Sequence, residues 1–382
     1  MSAADTSSLS PAQMEALLNE PALVSPDGIY NFIDPPNQNL TFYAALFTCL
    51  AVTCVFFLTR TYSRLFCVKV VRIEDYLAVI AFGFYLGYVY CCYRLADVRG
   101  AYVHQWNYQV KDMSNFIYFG FLATTFLFIS LLFLKAAILL EWMHIFASHT
   151  RNLFFWTCQI LLWIHILFNF SIIVAYNAKC KPYEKNWNSL LPGACINYKP
   201  IDVCSAIFNL VADLLIFVLP QKVIWSLRMS LSRKIGLSIV FTMGVLTCMC
   251  GAFRLYWTYA YQNSSDATYN LCPFGLWCLA EVTVGFLVFC MPATPKALAT
   301  LSPFYSSFKS WVNSSTRKFK EVPSSGAHSE SLPNRPRSKV YQEIDEVNLI
   351  HLNSMGTLKT GYNEPSEQVY AKAAQGQPTT GY

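Results

Sequence analysis

Among the ionisable side chains inside long apolar runs of this chain, Asp213, Arg254 and Glu281 are the informative ones. A charge in hydrocarbon is costly, so such groups turn to the interior of a helix bundle and find partners there. Arg254 stands near one end of the run 235–257, and Glu281 lies about five residues, roughly 8 Å at 1.5 Å per residue, into the run 276–291. Similar depth on consecutive helices predicts an Arg254/Glu281 ion pair, which either locks two helices or closes the floor of a ligand pocket. Asn209 and Asp213 are one turn apart and share a helix face. That face binds a neighbouring helix through hydrogen bonds, an ion, or a chain of water. His165 and Asn169 have the same spacing and read as packing residues. Retinal chemistry needs a lysine within the bundle to form a Schiff base. The run 276–291 has none, and Lys135 and Lys296 are assigned to membrane ends, where a long side chain reaches water. No cofactor is therefore expected. Asp213 or Glu281 has the chemistry of a general acid, but no complete catalytic set accompanies either.

The elements that carry these residues follow from composition. Of 382 residues 54% are hydrophobic and 13% charged, against roughly 25% charged in a soluble domain; a lipid bilayer is the expected solvent. The net charge of +6 does not indicate nucleic acid, because the basic residues flank apolar runs instead of forming a block. Runs at 41–58, 75–93, 116–140, 153–176, 201–219, 235–257 and 276–291 are mostly close to the roughly 20 residues that cross a bilayer. They predict an all-α, seven-transmembrane-helix bundle over 41–298.

Residues 1–40 carry acidic Glu15, Glu20, Asp27 and Asp34 but no Lys or Arg, and no cleavable signal peptide is read there. Assigning the flanking Lys and Arg residues to alternate sides, with Lys135 on the inner one, puts fifteen inside and seven outside when the N-terminus is outside and the C-terminus cytosolic. The sequon Asn263-Ser264-Ser265 then falls in an outer loop and predicts glycosylation of Asn263. Beyond the bundle, Phe304, Phe308, Trp311 and Val312 have the spacing of an amphipathic juxtamembrane helix over 299–321. Residues 322–382 are rich in Ser, Pro, Gly and Gln and read as a disordered cytosolic tail.

Most of the fourteen cysteines lie in apolar runs, where they act as small hydrophobes, and no Cys/His spacing suggests a metal site. Cys180 and Cys195 instead flank a polar loop on the outer side, where thiols oxidise. A disulfide between them would fold the loop into a cap; two free thiols are the alternative.

The order of these features resembles the fungal rhodopsin-domain family of receptor-like seven-helix membrane proteins, over roughly 41–298. The matching pieces are Arg60-Thr-Tyr-Ser-Arg64 with Glu74-Asp75, Cys180-Lys-Pro with Trp187 and Gly193-Ala-Cys195, Asn209 with Asp213, Leu219-Pro220, Arg254, and Glu281 with Pro292 and Pro295. The chain departs from the family pattern at Lys135-Ala-Ala-Ile-Leu-Leu-Glu-Trp142 and at Arg99-Gly-Ala-Tyr-Val-His104. The resemblance implies sensing of an extracellular chemical or surface cue at the plasma membrane. A small-molecule ligand, and by analogy a heterotrimeric G protein, would be the partners. A membrane-embedded enzyme or accessory protein of a secondary-metabolite pathway, of cyclase or isomerase type, is the alternative it leaves.

Overall fold

The computed structural model describes residues 10–146, 153–225 and 231–294, with side chains described outside 222–240 and 293. All of these residues lie in the first of two units, Met1–Ser315. The expected juxtamembrane helix over 299–321 and the tail 322–382 lie outside the described residues.

The described residues are all-α apart from one two-stranded hairpin. Helix α1 (Pro11–Asn19) starts from a capping box in which Ser10 and Gln13 exchange side-chain and backbone hydrogen bonds. The long helices follow: α2 (Asn39–Tyr62, extended by a π-helical turn over Ser63–Val68), α3 (Ile73–Arg99), α4 (Val110–Phe146), α5 (Leu153–Asn177), α6 (Lys199–Trp225), α7 (Leu231–Asn263) and α8 (Ala267–Cys290). Six helical segments among the described residues are long and apolar enough to cross a membrane: 39–68, 73–99, 110–146, 153–177, 199–221 and 267–290. The 33-residue α7 packs between α6 and α8.

Helix ends run past the apolar stretches because backbone pairing, not lipid, decides where they stop. Helix α8 begins nine residues before the expected 276, since Asn270 turns its side-chain amide back to the Asp266 carbonyl at 2.9 Å and the turn continues through Pro273. Glu281 is therefore fourteen residues into its helix, about 21 Å from its start, and not the 8 Å expected.

The hairpin pairs β1 (Cys180–Lys181) with β2 (Ala194–Cys195), and Cys180 and Cys195 are joined by a disulfide. Gly193 makes the closure possible: a Cβ there would collide with the Lys181 carbonyl oxygen. The segment before α2 packs at this same end of the bundle. Ala22 N–H donates to Tyr108 O at 2.8 Å, Asn31 N–H donates to Asn107 Oδ1 at 3.0 Å, and Arg99 bridges the Phe32 carbonyl to Asp112.

Candidate functional site

Four charged side chains meet in the middle of the bundle. Arg254 Nε lies 2.6 Å from Glu281 Oε2, Lys135 Nζ lies 2.9 Å from Asp213 Oδ1, and Lys135 Nζ also approaches Glu281 Oε1 at 3.4 Å. Exposure is 3% for Lys135, 3% for Arg254, 5% for Asp213 and 1% for Glu281. Lys135 further donates to the carbonyl and side-chain oxygens of Asn209 at 3.2 and 3.3 Å, and Asn209 Nδ2 donates to Ser205 O at 3.0 Å. Helices α4, α6, α7 and α8 each contribute, and two cations balance two anions. The balance is the physical reason such a cluster survives away from water, where an isolated charge would not.

The position assigned to Lys135 at a membrane end is thus overturned. Helix α4 extends eleven residues past it, to Phe146, so its amine has no route to the headgroups and turns inward. Arg254 and Glu281 do meet, but as half of a four-membered cluster. Asn209 and Asp213 both face Lys135, which the shared helix face alone did not reveal. Gly251 lets α7 come close beside them: a Cβ there would stand 3.2 Å from Leu210 Cδ1 and 3.5 Å from Asp213 Oδ2. His165 is fully buried, with Asn169 Nδ2 3.1 Å from its Nδ1.

Above this cluster, under the disulfide hairpin, is a cavity of about 520 Å³. Cys180 and Cys195 roof it, and Ser205 and Arg254 extend into its lining from α6 and α7. Thr258, Tyr261 and Gln262 line it one and two turns beyond Arg254 on the same face of α7. Lys179 lies at its rim with its ammonium 4.2 Å from the Tyr176 ring centroid. Burial lowers the Lys179 pKa, an effect the Asp202 carboxylate partly offsets. A second cavity of about 30 Å³ lies on the other side of the cluster, lined by Lys135, Asp213, Glu281 and Trp142.

A further buried network closes the opposite end. Arg60 Nη2 lies 2.9 Å from Asp75 Oδ1 and also bonds Glu141 Oε2, while Arg64 Nη2 lies 2.8 Å from Glu141 Oε1. Arg60 Nη1 donates to the Phe289 carbonyl at 2.6 Å, and its guanidinium carbon sits 3.6 Å from the Phe289 ring centroid. Asp75 Oδ2 also accepts the Arg72 backbone N–H at 3.2 Å, so one carboxylate caps α3 and holds α2. Arg60 and Arg64, among the basic residues that flank apolar runs, are both buried, because the helix Val110–Phe146 continues past its apolar run and brings the Glu141 carboxylate within reach. Sequence reasoning missed Glu141 and the inward role of Lys135. The available signal was that Lys135 stands inside the run 116–140 and Glu141 directly after it.

The chain resembles several fungal proteins. It is 38% identical over 286 residues to the Fugralins biosynthesis cluster protein 2 of Gibberella zeae, covering 74% of this chain and 71% of the relative. It is 33% identical over 202 residues to a SAT4 family membrane protein of Emericella nidulans, covering 52% of this chain and 50% of that one. With the Receptor GIN3 of Arthrobotrys oligospora it shares 25% identity over 281 residues, 70% and 65% of the two chains. No solved structure matches it. The profile of the fungal rhodopsin domain matches residues 59–300, and the chain is accordingly a multi-pass membrane protein that belongs to the fungal rhodopsin domain family.

Proposed function

We propose that this protein is a receptor-like sensor of the plasma membrane, whose disulfide-roofed cavity binds a small molecule. The observation that carries the reading is the position of Arg254, which lines that cavity and also pairs with Glu281 in the buried cluster. A ligand that favours one arrangement of Arg254 would bias the packing of α4, α6, α7 and α8 together, which is how differential binding shifts a conformational equilibrium. On this reading α7 is the sixth of seven spans in the bundle 41–298, residues 1–40 and the hairpin are outside, and the inner loop 221–234 and the tail meet the cytosolic partner, a heterotrimeric G protein by analogy. With Lys135 withdrawn from the count of basic residues, fourteen against seven still favour this orientation. On this reading Lys135, paired with Asp213 and Glu281, is a cation of the buried cluster and not an attachment point for retinal.

The relative named for a biosynthesis cluster favours a second reading, an accessory or catalytic membrane protein of a secondary-metabolite pathway, with Asp213 or Glu281 as the general acid. Comparing a deletion strain with wild type separates the two. A sensor changes the cAMP or G-protein response to external compounds with the metabolite profile otherwise intact, and an enzyme removes a product or accumulates its precursor. An unchanged response with a missing product would overturn the sensor.

Two predictions attach to this topology. Asn263 is expected to be glycosylated and the C-terminal tail to be cut by protease added to sealed microsomes whose cytosolic face is outward; a protected tail reverses the orientation. The Cys180→Ser/Cys195→Ser variant opens a loop of fifteen-residue separation and is expected to lower stability by about 2–4 kcal/mol. Melting of the purified protein with and without reductant measures this, and equal melting of variant and wild type would show that the hairpin does not depend on the bridge.

A further inference from the structure

The cavity that the receptor reading assigns to a ligand also carries a charge pattern that selects the ligand's class, so this inference rests on that reading. Of the ionisable side chains lining it, Lys179, Lys199 and Arg254 are basic and Asp202 is acidic. The Asp202 carboxylate is already engaged, accepting a hydrogen bond from Gln262 Nε2 at 2.5 Å, and Lys199 donates to the Gln262 carbonyl at 2.7 Å. Lys179 stands over aromatic rings at the rim. The groups left over are deeper. Arg254 has a buried Nη2 without a hydrogen-bond partner, and the Ser205 hydroxyl, 2% exposed as a residue, has none either. A guanidinium N–H without an acceptor in a buried site is an uncompensated loss of hydration.

We propose that the cavity binds a small monocarboxylic acid with an aromatic or unsaturated body, its carboxylate taken by Arg254 Nη2 and the Ser205 hydroxyl. Two spare donors on adjacent helices match the two oxygens of one carboxylate, and a charge-assisted bond to a guanidinium is the strong form of this contact. A cationic ligand would meet three basic groups, and a neutral acceptor would make a weaker bond to Nη2 than a carboxylate does. The body has a fitting lining in Phe116, Leu127, Phe128, Leu271 and Phe274, and the volume of about 520 Å³ lies within the range of roughly 300–1,000 Å³ for small-molecule pockets. The same carboxylate competes with Glu281 for Arg254, and Glu281 retains Lys135 at 3.4 Å when Arg254 is drawn away. Ligand capture and rearrangement of the cluster are thus one event.

The test uses the full-length protein in lipid nanodiscs and three probes with one body: phenylbutanoate, phenylbutanol and phenylbutylamine. Titration calorimetry is expected to rank the acid at least about tenfold tighter than the alcohol, with the amine weakest. In the Arg254→Gln/Glu281→Gln variant, which keeps Lys135 opposite Asp213, the acid should fall to within about twofold of the alcohol. Ser205→Ala in the otherwise native chain should lower the acid-to-alcohol ratio several-fold, and it carries the test by itself if the double variant does not fold. An alcohol or amine that equals the acid overturns the carboxylate class and leaves the cavity reading standing. An acid preference unchanged by the variants removes Arg254 and Ser205 as the anchor and overturns the proposal. Saturation by none of the three up to about 10 mM, weaker than a binding free energy near −3 kcal/mol, overturns both the class and the ligand cavity.

Discussion

Replacement of Lys135 by methionine is expected to destabilise the protein by about 3–5 kcal/mol, the cost of leaving a buried charge without its partner. Methionine keeps most of the length and volume of the side chain, so the loss is electrostatic and not a packing defect. Lys135 is the one cation within 4 Å of both Asp213 and Glu281 among the described residues; without it Arg254 alone faces two carboxylates. The Lys135→Met/Asp213→Asn variant leaves one cation and one anion, Arg254 and Glu281, and should recover most of the loss. Arg254→Gln/Glu281→Gln leaves the complementary pair and should recover in the same way relative to either of its single changes. The yield of monodisperse protein and its melting temperature in detergent measure these differences. A Lys135→Met protein that melts with wild type would show that its amine does not compensate the carboxylates.

Glu141→Gln is expected to have an effect of similar size at the other end of the bundle, again about 3–5 kcal/mol, because Asp75 is then the one carboxylate left to both Arg60 and Arg64 among the described residues. The site joins α2, α3 and α4 to the Phe289 carbonyl of α8, so the loss should also loosen that end of α8. Faster hydrogen exchange over 286–290 in the variant would report it. Arg64→Gln/Glu141→Gln restores one cation opposite one anion and should regain stability and protection. Equal exchange in Glu141→Gln and wild type would mean that Arg60 holds α8 without this carboxylate, and the network would reduce to the Arg60/Asp75 pair.

Much of the architecture was legible in the residues alone. Apolar runs of span length, the Lys and Arg at their ends, and two cysteines around a polar loop depend on local composition and on transfer from water, both of which act on each segment separately. The prominence of Asp213, Arg254 and Glu281 followed for the same reason, since a charge in an apolar run is conspicuous whatever surrounds it. Tertiary structure decided which charges meet. Lys135 is 78 residues from Asp213 and 146 from Glu281, and Glu141 is 81 from Arg60 and 77 from Arg64. Their side depended on how far α4 continues and how it is rotated, quantities that packing of four helices determines. Depth shifted in the same way. Glu281 became a mid-helix residue once hydrogen bonds at Asp266 and Asn270 carried α8 back to Ala267. An apolar run records what lipid tolerates, whereas a helix ends where its backbone groups find other partners, and a buried charge settles where the opposite charges of other helices converge.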